Sequence, residues 1–252
     1  CACLVGSEMC IRDRYSAPVF EFATAPAPGT YVLAEVGELT GKLSDIVVEG
    51  LAGHKFALEY KDGKIVLNIS DTRDSESSVW TGDKGSVWDL MSTENFSSSD
   101  KLFVTGDELT FNDDASTTDV NLAEDVTPGN IFFKNNKKDY SLAGNGSILG
   151  EGSLNVEGTG TVNIKNTNKY SGGTNVKGGI LAPATLANKD GLEFGSLGSA
   201  DNTITLSNKG TLKVASGMTA SHPIVLGENG GTINNTGTLI LNGGIIRSNG
   251  GK

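Results

Sequence analysis

The sequence predicts an all-β protein whose C-terminal half is a parallel β-helix, or β-solenoid. After Tyr15 the chain consists of short runs of alternating apolar and polar residues bounded by Gly, Asn, Asp or Ser, and helix signals are almost absent. Glycine accounts for 34 of the 252 residues, about twice its usual frequency of ~7%. The segment 141–252 holds 23 of these glycines, and its apolar doublets and triplets recur mostly every six to nine residues. Such spacing is typical of short strands that stack coil upon coil.

The segment 15–78 is predicted to be β-rich and to contain a hairpin. An Asp62-Gly63 pair joins two alternating runs, which is the strongest short-range hairpin signal. The polar, serine-rich stretch 71–78 suggests a junction after this segment. The candidate strands are 19–22, 30–34, 46–48, 55–60 and 64–69.

The segment 79–140 is predicted to be a β segment anchored by aromatic side chains. It holds eight of the sixteen aromatic residues, and we expect them to close a compact hydrophobic unit. They are Trp80, Trp88, Phe96, Phe103, Phe111, Phe132, Phe133 and Tyr140.

The segment 141–252 is predicted to form short parallel strands in stacked coils, with Gly and Asn at the corners because both tolerate positive φ. An antiparallel sandwich is the alternative, although its strands are usually longer. Alternation along each strand turns Asn155, Asn163, Thr205, Lys213 and Ile240 outward. The residues expected to point inward are Leu154, Val156, Val162, Ile164, Val176, Ile180, Ile204, Leu206, Leu212, Val214, Ile224, Leu226, Ile233, Leu239 and Leu241.

Charge and composition exclude several classes of function. The net charge of −10 removes the basic surface that nucleic-acid binding needs. No run approaches the about 18 consecutive apolar residues of a membrane-spanning helix. The three cysteines, Cys1, Cys3 and Cys10, all lie in the first ten residues. The rest of the chain therefore offers no disulfide, thiolate nucleophile or thiolate metal ligand.

Residues 4–14 resemble the translation of a transposase sequencing adapter rather than protein-coding sequence. We therefore expect residues 1–14 to be an artefact without structure, and their deletion to change stability by no more than about 0.5 kcal/mol. A signal peptide, which needs a basic start and a run of apolar residues, does not fit this segment. We expect the true start of the gene and any signal to be missing, and the chain to stop within an unfinished repeat.

Three stretches together resemble the passenger-associated-transport repeat, or autotransporter-associated β-strand repeat, of bacterial autotransporters. They are 142–154 (LAGNGSILGEGSL), 158–162 (GTGTV) and 168–181 (NKYSGGTNVKGGIL), with Val162 in a place where Leu is usual and Ile180 as an added apolar residue. The stretches 80–89 and 111–114 are similar to what commonly precedes this repeat.

The resemblance implies a secreted passenger carried to the surface of a Gram-negative bacterium by a C-terminal outer-membrane β-barrel, a partner missing from this chain. Its expected function is non-enzymatic: the repeat supports folding and secretion, and the passenger acts as an adhesin for a glycan or host surface. The alternatives are a polysaccharide lyase or hydrolase of the β-helix class and a purely structural spacer.

Candidate chemical residues are few, and we predict no catalytic, cofactor-binding or metal-binding residue and no enzyme activity. His54 and His222 lie far apart in sequence, with no second histidine at ligand spacing. The carboxylates at 113, 114 and 119, and those at 71 and 74, could serve glycoside chemistry or calcium, but turn residues are the better interpretation. Trp80 and Trp88 are expected as buried anchors rather than sugar platforms. The glycine pairs at 144 and 146 and at 158 and 160 lack the remainder of a phosphate-binding motif and are interpreted as β-corners.

Overall fold

A computed structural model confirms the all-β prediction. It describes residues 9–12, 18–23, 26, 28–51, 54–70 and 73–248, with only the backbone described for 9–12. The chain divides into two compact units, Cys1–Asp74 and Ser75–Lys252.

The first unit contains two small sheets, with strand orders β1-β2-β4 and β3-β6-β5. A single 3-10 turn, Leu43–Asp45, precedes the fourth strand. The strands described in this unit are β1 (Met9–Arg12), β2 (Val19–Phe22), β3 (Gly29–Glu35), β4 (Val47–Glu49), β5 (Lys55–Lys61) and β6 (Lys64–Ser70).

The predicted hairpin is confirmed. β5 and β6 pair antiparallel in unbroken register, and Asp62 and Gly63 between them both have positive φ, 51° and 73°. This is the backbone that a two-residue hairpin turn requires. β6 alternates, and its Ile65, Leu67 and Ile69 lie in the core of the unit.

The segment expected to be without structure, residues 1–14, is described only at Met9–Arg12. There the backbone forms β1, which pairs antiparallel with β2 in place of the unpaired chain expected. The rest of that segment and residues 249–252 lie outside the described residues.

The second unit is built almost entirely of strands of two to five residues. Those described are β7 (Ser77–Val79), β8 (Val87–Trp88), β9 (Glu108–Phe111), β10 (Asp119–Leu122), β11 (Ile131–Phe133), β12 (Tyr140–Gly144), β13 (Leu154–Val156), β14 (Thr161–Ile164), β15 (Thr174–Val176), β16 (Ile180–Pro183), β17 (Phe194–Gly195), β18 (Gly198–Ser199), β19 (Ile204–Leu206), β20 (Gly210–Val214), β21 (Met218–Ala220), β22 (Ile224–Leu226), β23 (Gly231–Asn235), β24 (Leu239–Leu241) and β25 (Ile245–Arg247).

These strands form a parallel β-solenoid with about six turns between residues 109 and 247. One eight-stranded sheet has the order β25-β22-β19-β15-β13-β11-β9-β7, which we call sheet one. A seven-stranded sheet, sheet two, has the order β23-β20-β16-β14-β12-β10-β8. Up to β16, strands two apart in sequence are neighbours in each sheet, as expected when the chain winds round and returns one layer higher. Beyond β16 the neighbours are three or four strands apart, because β17, β18 and β21 belong to neither sheet.

Most coils use about 19 to 23 residues, as the cross-coil partners of Leu181 and Ser153 illustrate, and the coil between β15 and β19 uses 30. Because these short strands bury at most two apolar side chains each, the coils depend on one another for a continuous core. That core runs from Trp80 to Ile224 and crosses the segments 79–140 and 141–252 without a break.

The predicted inward residues are largely confirmed. Ten of the fifteen are 3% exposed or less, and Leu226, Ile233, Leu239 and Leu241 in the last coils are partly buried against the same core. Ile180 is the exception. Leu181 pairs with Val162 and Leu212 in register and is fully buried, so it faces inward and Ile180 faces outward.

The predicted outward residues need one correction. Ile240 is 50% exposed, as predicted, but Asn155 is only 4% exposed. Asn155 still lies on the strand face opposite Leu154 and Val156, which both belong to the core. Its amide can be buried on this face because both of its ends have hydrogen-bond partners: Nδ2 donates to the Ile131 carbonyl, and Oδ1 accepts from the Asn175 amide.

Seven of the eight aromatic residues between 79 and 140 are 2% exposed or less and fill the early coils. Trp88 contacts Phe103 edge to face with ring centroids 5.4 Å apart, and Phe111 stacks on Phe133 at 4.9 Å. Trp80 and Trp88 are both fully buried, which confirms that they are anchors.

We expect Gly158→Ala to lower the free energy of unfolding by about 1–3 kcal/mol, the usual cost of overpacking. A Cβ at residue 158 would collide with the carbonyl oxygen of Asn135 in the preceding coil, and backbone cannot yield as a side chain can. Urea unfolding followed by tryptophan fluorescence measures the change. Gly191→Ala is the control, because its Cβ would meet only the Asn188 side chain at 3.3 Å. Equal losses for both variants would contradict this account.

Candidate functional site

The residues that define the repeat motif are used in contacts between coils. Tyr170 is buried, and its hydroxyl lies 2.7 Å from the Thr174 Oγ1. Burial raises the pKa of Tyr170 well above its ordinary value, so the phenol remains neutral. A Cβ at Gly172 would collide with the backbone of residues 151 and 152, and Gly173 has a φ of +87°. The motif residues therefore allow the backbones of neighbouring coils to approach closely and the chain to turn sharply between strands.

One corner of the solenoid contains a cluster of buried polar side chains, which we call the corner network. Its members are Asn166, Asn168, Asn202 and His222. Each of the four is 5% exposed or less. Asn168 Oδ1 accepts the Ile148 N–H at 2.8 Å from the coil below, and Asn168 Nδ2 donates to the Ser196 carbonyl at 2.8 Å. The network thus supplies backbone groups at the corner with partners where strand pairing is interrupted.

The second half of the network holds the next layer. Asn202 Oδ1 accepts the Gly173 N–H at 2.8 Å, and its Nδ2 donates to the Leu197 carbonyl at 2.9 Å. His222 Nδ1 lies 2.9 Å from the Asn202 carbonyl oxygen. Burial lowers the pKa of His222 below its ordinary value, so the ring is held neutral.

The outer face of sheet one carries a row of side chains in register, which we call the outer ladder. Asn175 Nδ2 donates to Asn155 Oδ1 at 3.0 Å, and the Lys134 ammonium lies 5.2 Å from the centre of the Phe132 ring. Neighbouring strands of a sheet lie about 4.8 Å apart, so the row repeats at that distance. Its members are Thr110, Phe132, Asn155, Asn175, Thr205 and Val225.

The two histidines belong to different compact units. His54 lies buried in the first unit, and His222 lies in the corner network of the second. Among the described residues, no group of three or more His, Cys, Asp or Glu side chains is placed to hold a metal ion.

Asp113 is a turn residue, as the sequence favoured. Its carboxylate accepts the backbone N–H groups of Asn136, Lys137 and Lys138 at 2.9 to 3.1 Å, one coil later. These donors, the Lys137 N–H first, hold the pKa of Asp113 below its ordinary value. Asp114 accepts from the Asn112 amide.

The other candidate carboxylates form no pair with Asp113 that the structure describes. Asp119 is exposed on the outward side of β10, and Asp74 is exposed at the end of the first unit. Asp71 lies outside the described residues.

We expect Asp113→Ala to weaken the turn at 136–138 and to flatten the acid limb of the stability profile. Because the folded-state pKa is depressed, this carboxylate stabilises the fold fully above its unfolded pKa of about 3.9. That contribution is lost as the pH falls through the folded pKa. Urea unfolding at a series of pH values measures the effect, with Asp114→Ala as the control. An unchanged acid limb in Asp113→Ala would contradict it.

Two grooves are open on the second unit. One, of about 270 Å³, lies beside Asp83, Lys84, Glu94 and Lys101 near the first coil. The other, of about 370 Å³, lies on the loop around 188–201, next to the ion pair of Lys189 and Asp201. Both are lined largely by exposed side chains and have no buried titratable group aimed into them among the described residues.

Sequence reasoning missed the corner network. It assigned the asparagines to corners because Asn tolerates positive φ, yet only Asn208 and Asn229 among the described asparagines adopt it. The buried ones act through their side chains instead. Asn168 and Asn202 are 34 positions apart, which exceeds one ordinary coil, so no regular recurrence of Asn marks the network in the sequence.

The coil stacking and the corner network define a β-solenoid protein. No protein-family model matches the chain, and comparisons with curated proteins and with solved structures find no significant match. In the part of the chain that the structure describes, no helix is long and apolar enough to cross a membrane.

Proposed function

We propose that this chain is part of a secreted, non-enzymatic passenger of an autotransporter, in which the repeat supports folding and secretion. The observation that carries the proposal is the use of the motif residues. Asn168 bonds to the backbone of the adjacent coil, the Tyr170 hydroxyl bonds to Thr174, and Gly172 packs against the backbone of the adjacent coil. A motif that serves stacking alone fits a repeat whose task is to build the fold.

Stacking of this kind suits a chain that emerges from a pore. The cross-coil hydrogen bonds of the corner network and the outer ladder join residues 20 to 35 positions apart, so each layer needs only its neighbour to form. Such a chain can fold progressively outside the membrane and requires no disulfide. The passenger is proposed to be carried by an outer-membrane β-barrel to the surface of a Gram-negative bacterium.

The outer ladder is the surface that we propose for adhesion. It presents the half-buried Asn175 amide and Thr205 hydroxyl on one side of the buried Asn155, and the half-buried Phe132 ring on the other side. Glycans offer hydroxyl groups and apolar sugar faces that pair with this combination. The flanking Glu157 and Lys177 form an ion pair with a 3.0 Å separation, so these two side chains offset each other's charge.

The complete gene tests the passenger proposal. We expect the reading frame that contains this chain to continue into a β-barrel segment, with a secretion signal upstream. A complete frame that ends without a barrel, or in an unrelated cytoplasmic domain, would overturn the proposal.

A binding screen tests the adhesin proposal separately. We expect the purified chain to bind a subset of a glycan array or host cells, and Asn175→Asp on the outer ladder to reduce binding without unfolding the protein. If Asn175→Asp binds as well as the parent protein, or if the parent protein binds nothing on the panel, a structural spacer is favoured. Turnover of a glycan would favour the polysaccharide-acting enzyme instead.

A further inference from the structure

One coil of the solenoid carries an insertion, which we define as residues 184–203. Thr174 on β15 pairs with Ile204 on β19, about 30 positions later, whereas the neighbouring coils use 20 to 23 residues. The extra chain contains the antiparallel pair β17 and β18. Leu186, Ala187 and Leu197 of the insertion are 3% exposed or less, so the insertion packs against the solenoid rather than projecting from it.

A single side chain from the following coil joins the two ends of the insertion. His222 Nε2 lies 3.2 Å from the Ala187 backbone nitrogen, near the start of the insertion. His222 Nδ1 lies 2.9 Å from the carbonyl oxygen of Asn202, near its end. The neighbouring Ser221 adds two bonds, from its N–H to the Ala187 carbonyl and from the Lys189 N–H to its Oγ.

The two hydrogen bonds fix the protonation state of the ring. A backbone N–H can only donate, so Nε2 must be the unprotonated nitrogen. A carbonyl oxygen can only accept, so Nδ1 must carry the proton. The imidazole is therefore neutral in one tautomer, and His222 is fully buried in that state.

We propose that His222 is an acid-sensitive clasp, and that its protonation releases the insertion 184–203 from the solenoid. Protonation places a hydrogen on Nε2 against the Ala187 N–H, which destroys that hydrogen bond and leaves a buried positive charge. Release exposes Leu186 and Leu197 together with the corner network beneath them.

The charged side chains near His222 are exposed and do not bond to its ring, so the imidazole is the group of the clasp that responds to acid. Lys189, Asp190, Glu193 and Asp201 on the insertion are all exposed, and Lys189 pairs with Asp201. Lys209 and Lys213 on the following strand region and Glu228 after β22 are exposed as well. The hydrogen-bonding partners of the ring are both backbone groups.

The direction of the pH dependence follows from burial. Desolvation lowers the pKa of His222 in the closed form, whereas a released imidazole titrates near its ordinary value of about 6.5. The clasp is therefore complete above that value and weakens as the pH falls below it. With the closed form neutral, the opening equilibrium rises by up to about 30-fold between about pH 7.5 and about pH 5.

Hydrogen exchange measured by mass spectrometry on the full chain tests the clasp. After correction for intrinsic exchange rates, we expect amide protection in 184–203 to fall by up to about 30-fold on acidification to about pH 5, with little change in β13 to β16. His222→Gln retains an acceptor near Ala187 and has no group that titrates, so its insertion should lose that pH dependence. His54→Gln, in the other unit, is the control and should behave as the parent does.

Nuclear magnetic resonance of the parent protein gives a second, variant-free readout. We expect the His222 imidazole to give the signal of the neutral, Nδ1-protonated ring at about pH 7.5, and to titrate with a midpoint below the ordinary value of a histidine. Constant protection down to about pH 5, or an imidazole that is already protonated at about pH 7.5, would overturn the proposal. So would an unchanged pH dependence in a folded His222→Gln.

Discussion

Phe133→Ala is expected to lower the free energy of unfolding of the solenoid by about 3–5 kcal/mol, whereas Phe132→Ala should cost about 1 kcal/mol or less. The two residues are adjacent on β11 but lie on opposite faces of the sheet. Phe133 is fully buried between Phe111 and Tyr140, while Phe132 is half-buried on the outer ladder under Lys134. Deletion of the inner ring leaves a cavity in the column, and deletion of the outer ring leaves solvent.

Urea unfolding followed by tryptophan fluorescence measures both variants. Both tryptophans of the chain, Trp80 and Trp88, are buried in the solenoid unit, so their emission reports on that unit. Similar losses for the two variants, or a larger loss for Phe132→Ala, would mean that the inner and outer faces of β11 are reversed.

The protein is expected to self-associate through the end of the solenoid formed by β23, β24 and β25. In the described part of the chain, these are the last strands of their sheets. Ile240, Ile245 and Ile246 there are 50%, 51% and 58% exposed. Unpaired strand edges beside exposed apolar side chains are templates for pairing between molecules. Sedimentation velocity should show a weight-average mass that rises with concentration.

A double variant with Ile240→Lys and Ile246→Lys should reduce the association strongly, because charges on an edge strand oppose edge-to-edge pairing. Leu192→Lys is the matched control, since Leu192 is an exposed apolar residue on the insertion, with 40% exposure, away from the open end. A parent protein that stays monomeric at all concentrations would contradict the expectation. An equal effect of Leu192→Lys would show that association is not confined to the open end.

Much of the fold could be predicted because alternation in short strands is a local signal. Leu154 and Val156 are apolar around a polar Asn155, and this pattern alone identifies the inner face. The hairpin at Asp62 and Gly63 was equally local, since the turn chemistry is contained in two residues.

Register between coils could not be predicted from the same signal. In the run Gly179-Ile180-Leu181, either apolar residue could face inward, and the choice of Leu181 depends on its pairing with Val162 and Leu212. That pairing joins residues 19 or more positions apart, so no local pattern contains it.

The corner network was hidden for a related reason. The role of an asparagine is invisible in sequence when its partners are backbone groups of another layer. Asn168 and His222 resemble ordinary loop residues until the coils are stacked. The insertion was also absent from the sequence prediction, because its strands, β17 and β18, are only two residues each.

Protease accessibility on intact cells tests the passenger account most directly. A Gram-negative host expressing the complete gene should present the solenoid outside the cell, so an added protease that cannot enter should remove the chain while cytoplasmic proteins stay intact. If the chain resists the protease until the cells are lysed, and purified chain is cleaved under the same conditions, the proposed surface passenger is contradicted.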